Sequence, residues 1–125
     1  MYDYKIKEVT KIVDGDTIDC ILDLGFNISF KGRFRLSGYD APETWRPKTE
    51  AERVAGEKVT QFLESLLEKY EGNIVIRSNK LRIYGRYDGV LLTTDNISDD
   101  VININVEVEN FISTHNLTKE EVRKV

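Results

Sequence analysis

The sequence predicts an α+β fold: a small five-stranded β-barrel with one long inserted helix and one or two C-terminal helices. Three observations carry that expectation. Apolar residues alternate with period two through the first third of the chain, as half-buried strands require. A long middle stretch then changes to three- and four-residue spacing, as an amphipathic helix requires. Short β-branched segments follow it. The chain has 125 residues, 40% hydrophobic and 32% charged, which suits one domain (residues 1–125) with one core.

In residues 5–13, Ile6, Val9 and Ile12 stand against Lys5, Lys7, Glu8 and Lys11. The phase is imperfect, so a bulged strand is expected. In residues 17–24 the alternation is regular, with Ile18, Cys20, Leu22 and Leu24 on one face. Gly25, Phe26 and Asn27 form a turn, and Ile28, Phe30, Phe34 and Leu36 carry a third strand through residues 29–36. Three strands with short links read as an antiparallel meander. Residues 38–48 are irregular and hold both prolines, Pro42 and Pro47.

Thr49 with Glu52 makes a capping-box signature. Ala55, Val59, Phe62, Leu63, Leu66 and Leu67 continue a helical stripe from about Thr49 to Tyr70, closed by Gly72. Residues 73–77 and 90–94 read as short strands. Residues 101–112 carry both periods: Ile102, Ile104, Val106 and Val108 alternate, yet Val101, Ile104, Val108, Phe111 and Ile112 fit a helix. Barrel logic favours a helix from about Ile104. Thr118 and Glu121 predict a short helix within residues 116–124. Five strands with a helix after the third suit a Greek-key barrel of the OB type; periodicity alone also permits an α+β sandwich.

The single cysteine, Cys20, cannot form an internal disulfide and lies in an apolar run, so a buried, inert thiol is expected. Residues 1–7 lack the hydrophobic run of a secretory signal, and no apolar stretch approaches the roughly 18 residues of a membrane span. A soluble, cytoplasmic chain without membrane attachment is expected, or a secreted one if a leader has been removed. No obligate protein partner is evident. The net charge of −4 argues for transient engagement of nucleic acid rather than stable coating, because phosphate affinity comes from Lys and Arg.

Three segments carry chemistry. Asp14-Gly15-Asp16-Thr17 joins the first two strands; it reads as a hairpin turn with glycine at positive φ, or as a metal site. In the second, Arg35 interrupts an apolar strand face, and Asp40 and Glu43 flank the stiff Ala41-Pro42 turn. Asp40 with the Ala41 carbonyl would offer a hard cation two oxygens; the bland alternative is a capped turn and a solvated Glu. The third is Tyr84-Gly85-Arg86, where glycine permits a sharp turn. Together they supply the parts of phosphodiester hydrolysis. Asp16 and Asp40 would hold a metal, Glu43 would accept a proton from water, and Arg35 and Arg86 would meet the charge that grows on phosphate. The guanidinium fork suits that last role.

These motifs, in this order and spacing, resemble the staphylococcal nuclease family. The likeness covers residues 8–93 and, more loosely, the helix beyond. It implies an OB-like barrel and Ca²⁺-dependent cleavage of DNA and RNA to 3′-phosphate ends. It also implies that Asp16, Asp40 and the Ala41 carbonyl bind calcium, that Arg35, Glu43 and Arg86 are catalytic, and that Tyr84 contacts the nucleotide. The chain departs from the family pattern at two places. An Asp and often a Lys precede the Tyr-Gly-Arg motif in the family; here Arg82 and Ile83 do, which leaves Arg82 as a partial substitute on the substrate phosphate. Residues 117–125 contain no aromatic side chain to stack on a base, so weaker substrate binding is expected.

His115 reads as a helix-end residue, and Trp45 as packing for the loop beside Glu43 or as a substrate platform, with packing favoured. The competing function is a catalytically silent OB-type module that binds nucleic acid or protein. An acidic nucleic-acid mimic is a third reading, weakened because the acidic residues are mixed with Lys and Arg.

Overall fold

The computed structural model describes residues 2–81, 87–95 and 97–123. Strands β1 (Tyr2–Asp14), β2 (Thr17–Asp23) and β3 (Ser29–Leu36) form the expected meander. Helix α1 (Glu50–Lys69) follows, then β4 (Val75–Leu81), β5 (Tyr87–Thr94), the short β6 (Val101–Asn103), α2 (Ile104–Thr114) and α3 (Lys119–Arg123). The sheet order is β3-β2-β1-β4-β5-β6, and β3 also pairs with β5 in parallel. That extra pairing closes five strands into a barrel, and β6 extends β5 outside the ring. The fold is thus the α+β, OB-type barrel that the patterning predicts, and not an open sandwich.

The imperfect phase of β1 has a structural cause. Its ladder with β2 shifts register three times, between Ile6 and Glu8, Val9 and Lys11, and Ile12 and Asp14. Each shift bends the strand. β1 can then pair with β4 through Tyr2–Lys5 and with β2 from Lys5 onward. Ile18, Cys20 and Leu22 are buried as expected, but Leu24 is 39% exposed. It lies past the end of β2, where Gly25, Phe26 and Asn27 take three consecutive positive φ values and break the alternation.

α1 starts as its cap predicts: the Thr49 side chain accepts a hydrogen bond from the Glu52 N–H. Its apolar face buries Ala55, Val59, Leu63 and Leu67 against the barrel. Two glycines mark close approaches between α1 and the segments around the β1–β2 turn and Pro42. A Cβ on Gly15 would stand 2.5 Å from Val59 Cγ1, and one on Gly56 would stand 2.9 Å from the Pro42 carbonyl. Gly15 and Asp16 make the two-residue turn of the β1–β2 hairpin, as expected, but Gly15 has no positive φ, so turn conformation is not what calls for a glycine. It is there because α1 presses on the β1–β2 turn. The double period of residues 101–112 is divided: β6 uses three residues, and Asn103 then caps α2, its side chain accepting from the Val106 N–H. Ile104, Val108 and Ile112 are buried, and Phe111 stacks on Phe62 of α1 at 4.2 Å. Thr118 accepts from the Glu121 N–H at the start of α3, as its capping pair predicts. No helix among the described residues is long and apolar enough to cross a membrane.

Candidate active site

The β1–β2 turn, the end of β3 and the loop of residues 37–48 meet at one rim of the barrel. The Leu36 N–H donates to the Asp16 carbonyl at 2.7 Å, which locks the turn to β3. Asp16 is only 6% exposed, and an isolated buried carboxylate is costly. Its oxygens are accordingly satisfied: Oδ1 accepts from Thr17 Oγ1 at 3.0 Å, and Oδ2 accepts from the Ala41 N–H at 3.0 Å. Arg35 Nη2 lies 3.5 Å from that same Oδ2.

Arg35 gathers the rest. Its Nη2 donates to the Tyr39 carbonyl and to Asp40 Oδ1, both at 3.1 Å. The two aspartates therefore converge on a single guanidinium nitrogen, one buried and one exposed. The Tyr39 hydroxyl donates to the Gly15 carbonyl at 2.6 Å. Burial, reinforced by Asp16, holds the phenol protonated well above its ordinary range, against the opposing pull of Arg35. Tyr39 thus acts as a fixed strut between loop and turn.

Sequence patterning missed Lys119. It is the first residue of α3, yet its Nζ lies 3.2 Å from Asp40 Oδ1 and 3.8 Å from Glu43 Oε1. Asp16, Arg35, Asp40, Lys119 and Glu43 form a continuous run of alternating charge. No local pattern marks Lys119, because only the return of the chain through α2 and α3 brings it there. Asp14, at the start of the β1–β2 turn, accepts through Oδ1 from the Thr44 N–H at 3.1 Å and from Thr44 Oγ1 at 2.6 Å, a contact that its position in a turn motif does not announce. Glu52, read as a helix cap, is fully buried, and its carboxylate accepts from the Lys48 and Glu43 N–H groups and from Arg123. The loop bearing Asp40 and Glu43 is thus tied to β1, α1 and α3.

Asp16 and Asp40 offer carboxylate oxygens, which a hard cation such as Ca²⁺ takes together with water, while Arg35 Nη2 lies on both carboxylates and Lys119 Nζ on Asp40. Both hydrogen bonds to Asp40 land on Oδ1. Among the described residues, no three His, Cys, Asp or Glu side chains are arranged to hold a metal ion by themselves, so such a cation would rely on two carboxylates, backbone and water. Ala41 meets Asp16 through its N–H.

Arg82, Tyr84 and Arg86 lie outside the described residues. Trp45, expected to pack the loop, is instead 76% exposed and carries the Arg46 guanidinium 4.3 Å from its ring centre. Cys20 is fully buried, and burial pushes its thiol up to about 12, in keeping with an inert core residue. His115 caps the end of α2, as its sequence position suggests.

Comparison with protein-family models and with curated proteins finds no match to this chain.

Proposed function

We propose that this protein is a calcium-dependent phosphodiesterase that hydrolyses DNA, RNA or both. The observation that supports it best is the convergence of Asp16 and Asp40 on Arg35 Nη2, with Glu43 joined to the same cluster through Lys119. A bound divalent cation would supply charge stabilisation on the phosphate and a positioned water. The residues to hold it are Asp16 and Asp40, with the Ala41 carbonyl proposed from the family resemblance.

The chain's own residues have separate tasks. Glu43 is partly exposed and accepts a proton as the water oxygen bonds to phosphorus and one P–O ester bond breaks. Arg35, held by Asp16 and the Tyr39 carbonyl, presents its guanidinium to the phosphoryl oxygens. Charge builds there only as water attacks, so a pre-placed fork favours the transition state over the bound substrate. Arg86 is proposed as the second guanidinium and Tyr84 and Arg82 as nucleotide contacts, on the family resemblance alone.

One observation favours a second reading. Arg35 and Lys119 already neutralise Asp40, as they would in a purely structural ion-pair network, and a catalytically silent OB-type binding module would need nothing more. The two readings separate on digestion of a single-stranded oligonucleotide with Ca²⁺ and with EDTA. Cleavage in Ca²⁺ and its loss on chelation are expected. Arg35→Lys, which keeps the charge but not the fork, is expected to cut single-turnover cleavage by roughly 10²–10³-fold. Full activity in EDTA would remove the metal, and no cleavage under any condition would leave the binding module.

A further inference from the structure

Trp45 is the largest side chain on the loop, and the fold leaves it in solvent at 76% exposure. What distinguishes it from the other exposed apolar side chains, such as Phe26, is that it combines a broad aromatic face with an adjacent cation on a fixed loop beside Glu43. The loop is fixed on both flanks. Upstream, Thr44 is held by Asp14 through two hydrogen bonds of 3.1 and 2.6 Å. Downstream, the Lys48 N–H donates to buried Glu52 at 2.7 Å. Gly56 of α1 lets the Pro42 and Glu43 carbonyls seat against the helix, where a Cβ would stand 2.9 and 3.0 Å from them. Trp45 and Arg46 sit at the crest between these anchors.

We infer that Trp45 and Arg46 form a stacking platform for a base of single-stranded nucleic acid, beside the proposed reaction centre and resting on that reading. An aromatic face takes any base, and a guanidinium takes phosphate or adds a cation–π contact. Arg46 lies 4.3 Å from the indole centre and covers part of the ring, and the exposure of Trp45 leaves the rest of its surface to a base. Exposed Arg46 and Lys48 make this stretch locally basic on a chain of net charge −4. Trp45 is two residues from Glu43, at most about 7 Å of chain, so the base it holds belongs to a nucleotide at or next to the scissile phosphate. Stacking requires an unpaired base, so single strands are preferred over duplex.

Trp45 is the only tryptophan, so its fluorescence reports on the platform directly. The wild-type chain is titrated in EDTA with a single-stranded oligonucleotide and with the matching duplex. Saturable quenching by the single strand, weaker with duplex, is expected. In Ca²⁺, Trp45→Ala is expected to raise KM for the single strand by roughly 5- to 150-fold with kcat little changed, and Trp45→Phe to restore most of it. If the wild type cleaves and Trp45→Ala keeps its KM, the platform is wrong and the nuclease reading stands. If the wild type cleaves nothing but the single strand quenches selectively, the platform stands and the nuclease reading falls. If it neither cleaves nor quenches, the platform is overturned.

Discussion

Glu52 illustrates how much of the site a residue pattern can hold and how much it cannot. Three residues after Thr49, at the start of an apolar helical run, it is legible as a cap partner, and its N–H does donate to Thr49 Oγ1 at 3.0 Å. Its carboxylate does something the spacing does not contain: it accepts from Lys48 and Glu43 N–H groups and from Arg123 of α3. Burial alone would raise its pKa. The hydrogen bonds from Lys48, Arg123 and Glu43 outweigh that and leave it below the ordinary glutamate range. A folded-state pKa below the unfolded one means that Glu52 stabilises the fold fully above the ordinary glutamate range. That contribution is lost as pH falls through the lowered value. Glu52→Gln is expected to destabilise the chain by about 3 kcal/mol at neutral pH. This is the low end for breaking a buried pair, because Arg123 is 30% exposed and can be rehydrated. Urea unfolding of both proteins at neutral pH and near pH 3 tests it. The gap should narrow in acid, and a gap that is constant with pH would mean that the ionised carboxylate is not what stabilises the loop.

Among the elements, α1 and β2 were legible because one period runs unbroken through each. β1 was legible as bulged because its phase slips, although not where it would bend. Residues 101–112 defeated periodicity, since a three-residue strand passes directly into a helix and both patterns are locally true. The decisive signal was polar: Asn103 stops the ladder and caps α2. Asn105, two residues further on, has no local signature as a structural residue, because buried Asn follows no period. It is 3% exposed. Its Oδ1 accepts from the Leu91 N–H at 3.0 Å, and its Nδ2 donates to the Ser37 and Gly89 carbonyls at 2.9 and 3.0 Å. It therefore fastens α2 to the seam where β3 meets β5, next to Arg35. Asn105→Ala would leave a backbone donor without its partner and remove a donor from two carbonyls. A loss of about 2–4 kcal/mol is expected, together with faster hydrogen exchange at the Leu91 amide. A denaturation midpoint indistinguishable from wild type would show that water replaces the side chain there.

At the scale of the whole molecule, the five strands of the barrel and the helix insertion point were legible, but the short β6 and the closure were not. Parallel pairing of Phe34 with Tyr87 through Leu36 with Gly89 depends on a non-local register that no local pattern encodes. Lys119 was hidden for the same reason, since it reaches Asp40 only after the chain has passed β5, β6 and α2. The charge balance has a further consequence for function. Net charge is −4, and the described cations at or beside the proposed site are few: Arg35, Arg46, Lys48 and Lys119. Two of them, Arg35 and Lys119, are already paired with carboxylates, and Asp14, Asp40 and Glu43 repel an approaching phosphate. With two of these four paired, and with Arg86 proposed as one further phosphate contact, the number of phosphates neutralised on binding should then be about two or three. For a single strand, log affinity falls with log salt at roughly −0.7 per phosphate. Raising salt from about 50 to about 200 mM should therefore weaken oligonucleotide binding only about 7- to 20-fold. Fluorescence titration of Trp45 across that range measures the slope. A slope near −2 or shallower fits a compact site at the barrel rim. A slope of about −5 or steeper would require many more phosphate contacts, and the substrate path would then have to cross a basic surface well beyond these residues.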